Sequence, residues 1–186
     1  AEVASIRRGL RTAVPGYRSR PSMSSSNPSA RAYRNQISEM QADYRALSII
    51  GFGPLNNQSR RGEGLGNPNP AIGRIQHAFE NVQYTPNGGP GFSPGPGVYN
   101  FMGGTGGMQA AQSFAQSLGG IQTGSTGTGS VYTLSGLPPG ITGNVATYQS
   151  RNGYARATVT LKTTVTETGS RIPREVTNQF KVRFDD

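Results

Sequence analysis

The sequence predicts an α+β fold with a C-terminal antiparallel β-meander, alone or within a small β-sandwich. Two or three short amphipathic helices and long irregular segments precede it. Residues 145–184 alternate apolar and polar side chains, the period of strands with one buried face. Further upstream, apolar residues recur every three or four positions in short stretches, as in amphipathic helices. The 27 Gly and 13 Pro residues concentrate between about residues 51 and 143, which predicts irregular structure there.

Two turn signals define the expected register of the meander. Asn-Gly at residues 152–153 is the strongest short hairpin signal, and Gly-Ser at residues 169–170 fits a type II′ turn. A two-residue loop at the second turn pairs Val159 with Phe180. A two-residue loop at the first turn places Ala146 opposite Val159, so that all three strands share one apolar face. Such a face needs a cover, either from this chain or from a partner.

The third strand of the meander alternates as well, although less regularly. Its apolar side is formed by Ile172, Val176, Phe180, Val182 and Phe184. Arg174 and Asn178 interrupt this side.

The first 20 residues form a basic arm. Val3, Ile6 and Leu10 share one face of a predicted short helix, which ends before Pro15. We expect the arm either to dock on a partner or to be a loosely ordered terminus. Arginine suits a docking role because its planar guanidinium forms bidentate hydrogen bonds. The candidate partner-binding residues of the arm are Arg7, Arg8, Arg11, Arg18 and Arg20.

Three further helices are predicted between residues 28 and 118. Asn27-Pro28 fits an N-cap followed by proline, and the helix that it opens runs to about Ile49. Its apolar seam, which covers either the sheet or another helix of this chain or forms a coiled coil, consists of Tyr33, Ile37, Met40, Tyr44 and Leu47. Asn69-Pro70 repeats the cap signature before a short helix on which His77 faces solvent. The last helix spans residues 108–118, with Ala111, Phe114 and Ala115 facing inward.

The Gly/Pro-rich segment at residues 85–107 shows no helix or strand pattern. We expect neighbouring subunits to order it, with its aromatic residues docked on an adjacent chain, or else the segment to wrap the chain's own sheet. The candidate partner-binding residues here are Phe92, Tyr99 and Phe101. Residues 119–130 are expected to be a flexible Gly/Ser/Thr-rich connector, followed by a fourth strand at residues 131–134.

The sequence YTLSGLPPGITG at residues 132–143 resembles the Leu-Pro-x-Gly turn of bacterial immunoglobulin-like cell-surface domains. The resemblance implies an extracellular β domain. Composition divides the chain into an Arg-rich arm with its helix at residues 1–61, a Gly/Pro-rich segment at residues 62–130 and a β domain at residues 131–186.

Little in the sequence supports catalysis, so no enzymatic activity is predicted. The chain has no Cys and one His, which excludes a thiolate or multi-histidine metal site, and no cofactor motif is present. Residues 91–95 match G-x-S-x-G, but Pro94 has no backbone N–H to offer to an oxyanion hole. Carboxylates are scattered, and no pair suits acid–base chemistry.

The function predicted from these features is that of a non-enzymatic structural subunit of a secreted, cell-surface or cell-envelope assembly, such as a filament, sheath or coat. Its partners would be copies of itself or other subunits. The formal charge of +9, with ten Arg in the first 61 residues, leaves nucleic-acid binding or a virion role as the alternative. A third hypothesis is that the β domain binds carbohydrate or an envelope polymer. We expect an extracellular or envelope location, because the Met-less start at Ala1 suits the mature end that removal of a signal peptide leaves; cleavage of a tag would leave the same start. No apolar run approaches the length of a membrane span.

Overall fold

The computed structural model describes residues 2–14, 17, 30–51, 69–85, 92, 95–166 and 171–186. The helices are α1 (Glu2–Ala13), α2 (Ala30–Ile49), α3 (Pro70–Phe79) and α4 (Gly107–Ser117). The strands are β1 (Gln83–Tyr84), β2 (Val98–Thr105), β3 (Ile121–Thr126), β4 (Gly129–Leu134), β5 (Ile141–Gln149), β6 (Tyr154–Thr166) and β7 (Pro173–Asp185). The predicted mixture of helices with a β-rich C-terminal part is confirmed.

The described strands form one seven-stranded sheet in the order β1-β2-β7-β6-β5-β4-β3. All neighbouring strands are antiparallel except β2 and β7, which run parallel. Helices α2 and α4 pack against this sheet, so its cover is helical and the strands do not form the two facing sheets of a sandwich. The insertion of β2 beside β7 brings the middle of the sequence next to its C-terminal strand.

The pairing of β6 with β7 follows the register that the alternation predicts, with Val159 opposite Phe180. Both residues are fully buried under the helices. Ile172, by contrast, is 77% exposed because β7 begins only at the next residue. Arg174 remains on the buried side, where its guanidinium bonds to the Glu39 carboxylate of α2. The polar interruption in the third strand is therefore a contact with the helical cover.

The pairing of β5 with β6 differs from the prediction by one residue. Val145 lies opposite Val159, one position away from the expected partner. The backbone N–H of Ser150 donates to the Tyr154 carbonyl at 2.9 Å, so the connecting loop contains three residues instead of two. Gly153 adopts φ = 77° in this loop, the left-handed conformation that a three-residue hairpin with a bulge requires. The extra loop residue moves the side chains of β5 to the opposite faces.

The prediction that residues 85–107 lack a regular element is wrong for the stretch that forms β2. Tyr99 and Phe101 alternate with outward residues and point into the core beside β7. Gly103 and Gly104 hide this alternation in the sequence. A Cβ at Gly103 would collide with the Phe184 ring, so glycine is needed there for close packing.

The prediction of a flexible connector at residues 119–130 is also wrong. Strand β3 and the start of β4 occupy this stretch and pair as a hairpin, with a register shift between Gln122 and Gly124. All six residues of β3 are exposed, and none is charged. Without a buried face, the strand has no apolar–polar alternation by which it could be recognised.

The predicted helices are present, and they cover one face of the sheet. On α1, Leu10 is fully buried, and α2 packs against β6 and β7 of its own chain. The cap at Asn69 is confirmed, since its side chain accepts hydrogen bonds from the backbone N–H groups of residues 71 and 72. The buried residues of α4 include Ala111, Phe114 and Ala115, as predicted. One hydrophobic cluster extends from Leu10 to Phe184.

Candidate functional site

The face of the sheet opposite the helices, here called the open face, carries the charges of the sheet apart from that of Arg174. Residues 81–150 contain no Asp, Glu, Lys, Arg or His, so β1 to β5 and helix α4 are uncharged. The charged residues of the sheet therefore lie on β6 and β7. This concentration gives the central strands a distinct chemistry on a sheet that is otherwise neutral.

A group of three cations lies on the open face near the start of β6 and the end of β7. Arg156 of β6 lies directly opposite Arg183 of β7, and Lys181 is the next residue of β7 on the same face. We call Arg156, Lys181 and Arg183 the basic cluster. Like charges on directly opposed strand positions destabilise a sheet, and here the ion pair of Arg183 with Asp185 offsets part of that cost.

Two tyrosines support the guanidinium groups of the basic cluster. The Cζ atom of Arg183 lies 4.4 Å from the ring centroid of Tyr154, and that of Arg156 lies 5.4 Å from the Tyr148 centroid. Both distances allow a cation–π interaction. Arg183 also donates from Nε to Asp185 at 2.8 Å. Tyr154 is buried, whereas Tyr148 is 40% exposed.

Lys181 differs from the other lysine of the open face. Lys162 lies 3.8 Å from a carboxylate oxygen of Glu175, which neutralises it. Lys181 makes no ion pair with any described residue, and burial together with the nearby Arg156 lowers its pKa. Its neighbour on β2 is Asn100, which is 3% exposed and whose Oδ1 accepts no hydrogen bond from the described residues.

The second notable surface is the edge formed by β3, here called the β3 edge (Ile121–Thr126). It ends the sheet, so no further described strand pairs with its outer backbone groups. Ile121 is 64% exposed. The opposite end of the sheet is β1, which contains only two residues.

The basic arm predicted from the sequence lies partly in α1. Arg7 donates from Nε to the Sδ of Met40 at 3.3 Å, and Arg8 and Arg11 are exposed. Arg18 and Arg20 lie outside the described residues. The three placed arginines belong to the short helix that the sequence predicts for the arm.

The predicted aromatic contact residues lie mainly inside the chain. Tyr99 is 7% exposed and stacks on Phe180 with ring centroids 5.3 Å apart. Phe101 is fully buried and meets the ring of Phe79 edge-on at 5.3 Å. Phe92 is partly buried. Two of the three candidate residues therefore use their rings to pack this chain's own core.

The described residues bring no catalytic group together. His77 faces solvent as expected, and its Nδ1 lies 3.3 Å from a carboxylate oxygen of Glu80. Of the G-x-S-x-G stretch, only Phe92 and Gly95 lie in the described part. Across the described ranges, no three acidic or histidine side chains are grouped as a metal site requires. None of the helices in those ranges is long and apolar enough to span a membrane.

The basic cluster could have been found in the sequence. The correctly predicted pairing of β6 with β7 already places Arg156 opposite Arg183, on the side away from the apolar face. The exposure of Tyr148 could not be found in this way, because it depends on the three-residue loop before β6. The position of Asn100 depends on the parallel pairing of β2 with β7.

Compared with known proteins, the chain matches no family model, no curated protein and no solved structure. The arrangement of its own residues must therefore carry any functional inference.

Proposed function

We propose that this chain is a non-enzymatic structural subunit that assembles with copies of itself through the β3 edge. The observation that carries the proposal is an exposed, uncharged edge strand of six residues. The backbone N–H and C=O groups along such an edge can pair with a strand from another chain. Pairing two β3 edges antiparallel would continue the sheet from one copy into the next.

The two ends of the sheet support this choice of contact. Natural sheets discourage edge pairing by keeping edge strands short, by adding charge or proline, or by covering them. The β1 end follows the first of these rules, since it has only two residues. The β3 edge has neither charge nor proline, and a single register shift is its one protective feature.

The charge distribution favours the same surface. Each copy carries a formal charge of +9, so two copies repel each other when their basic regions meet. The β3 edge lies in the uncharged stretch at residues 81–150, three strands away from β6 in the sheet. Two copies can approach there with the least electrostatic cost.

Pairing of one edge with itself closes a dimer of twofold symmetry. A filament, sheath or coat therefore needs a second contact, and Arg8 and Arg11 on α1 are our candidates because they are exposed and basic. A secreted or envelope location belongs to this proposal as an expectation from the sequence.

Charge placed on the edge tests the proposal. Gln122→Lys with Ser125→Lys introduces two cations on β3 of each copy, and edge lysines oppose strand pairing. A matched control is Gln109→Lys with Gln116→Lys, which adds the same charge at two exposed positions of α4. Sedimentation velocity should show that the edge variant dissociates and that the helix variant does not. Equal behaviour of the two variants would exclude the β3 edge as the contact.

A further inference from the structure

We infer that the open face binds single-stranded nucleic acid, with the basic cluster holding phosphates and Tyr148 stacking on a base. The site is independent of the β3 edge, because the two surfaces lie on different strands. It is also distinct from the N-terminal arginines, on which a nucleic-acid role would be expected from sequence composition alone.

The basic cluster holds like charges close together. Arg156 and Arg183 occupy directly opposed positions, and Lys181 lies beside them with a lowered pKa. Such a cluster costs the free chain stability, and a ligand of opposite charge removes that cost. Phosphate groups match guanidinium geometry, and successive phosphates of one strand can occupy neighbouring cations.

An exposed tyrosine at the basic cluster calls for a ligand that also carries a planar group. Tyr148 presents 40% of its surface to solvent at the border of the cluster, where an unstacked base can lie on its ring. An anion without an aromatic part would leave Tyr148 unused.

The exposed tyrosine selects a single strand. Paired bases do not expose their faces for stacking, so a duplex would leave the Tyr148 ring without a base to contact. An acidic peptide would satisfy the cations but has no planar group that requires the tyrosine. These features together favour unpaired nucleotides over a duplex or an acidic protein.

The expected affinity can be stated as a salt dependence. Because Arg183 is already paired with Asp185, we expect two to three phosphates to be neutralised, which on a single strand gives a slope of about −1.4 to −2 for log K against log salt concentration. Removing one cation should reduce the magnitude of that slope by about 0.7. The slope reports how many phosphates are neutralised by direct contact with cations. It therefore distinguishes binding at the basic cluster from nonspecific attraction by the net positive charge of the chain.

The test uses the full chain and a fluorescently labelled single-stranded DNA of about 12 nucleotides, a length within the range covered by one small binding surface. Fluorescence anisotropy is measured at several salt concentrations for the wild-type chain and for Lys181→Gln, Lys162→Gln and Tyr148→Ala. Lys162 is the matched control because it lies on the open face, as Lys181 does, but is paired with Glu175. Thermal unfolding of each variant verifies that it is folded.

We expect Lys181→Gln to weaken binding about 5- to 10-fold at low salt and to lower the slope magnitude by about 0.7, whereas Lys162→Gln changes affinity less than about 2-fold. Tyr148→Ala should weaken binding at least about 5-fold with an unchanged slope, because stacking releases no counterion. Absence of binding at low salt, or equal effects of the two lysine variants, would overturn the inference. Equal competition by polyglutamate would do so as well, and would assign the face to an acidic protein.

Discussion

Truncation of Phe101 separates two accounts of the Gly/Pro-rich middle of the chain. If its ring docked on a neighbouring subunit, its removal would weaken assembly and leave the isolated chain unaffected. In the structure the ring is fully buried and lies 5.3 Å from Phe79 and 5.4 Å from Tyr84, with Phe180 at 6.5 Å. Phe101→Ala therefore removes packing among α3, β1, β2 and β7 of one chain.

The magnitude follows from burial. Replacing a fully buried Phe with Ala costs about 3 to 5 kcal/mol, from lost transfer free energy and the cavity that remains. Single domains unfold with about 5 to 15 kcal/mol, so this variant should lose a large part of its stability. Phe92→Ala is the control, because Phe92 is only partly buried and its loss should cost about 1 kcal/mol.

The assay is urea unfolding followed by far-ultraviolet circular dichroism. Both variants are made in the Gln122→Lys, Ser125→Lys background, so that dissociation of a dimer does not contribute to the measured free energy. A loss for Phe101→Ala no larger than that for Phe92→Ala would refute the reasoning. It would mean that β2 is not packed against β7 in the isolated chain.

Three further variants test individual contacts by the same unfolding assay, and in each case an unchanged free energy of unfolding would contradict the expectation. Asn69→Ala removes the cap of α3 and should cost about 1 kcal/mol, while Asn69→Ser should recover most of it. Arg174→Met breaks the bond to Glu39 that ties β7 to α2, and we expect a loss of about 1 to 2 kcal/mol. Lys181→Gln should slightly stabilise the chain at neutral pH. Its pKa is lowered by burial and by Arg156, so the protonated form costs stability below the folded pKa, and the cost disappears as the pH rises toward 10.5. The advantage of the variant should shrink over that range and stay small throughout, since solvent screens this partly exposed group.

Strands could be predicted from the sequence where one face is apolar and the other is polar. Val159 and Phe180 belong to long alternating runs, and a one-residue slip would have set apolar against polar side chains along the whole pair. The β5–β6 register was wrong by one residue because Asn-Gly also fits a three-residue loop, in which Gly153 takes the left-handed position. A short turn motif alone does not distinguish the two loop lengths.

Strands β2 and β3 were missed for different reasons. In β2, Gly103 is required by the Phe184 ring, yet glycine in a sequence indicates irregular structure. Its parallel pairing with β7 joins residues far apart in the chain, which no local pattern reports. In β3 the side chains are exposed on both faces, so no period exists. Part of the candidate site could be predicted from the sequence, because the predicted β6–β7 register already places Arg156 opposite Arg183.

The mass of the purified full-length chain in solution tests the proposed function most directly. We expect sedimentation equilibrium at physiological salt, which screens the repulsion between copies, to give a species of at least twice the chain mass. The Gln122→Lys, Ser125→Lys variant should convert this species to monomer. The Gln109→Lys, Gln116→Lys variant should retain the wild-type mass. A wild-type chain that remains monomeric at every concentration measured would contradict the proposal of a self-assembling subunit.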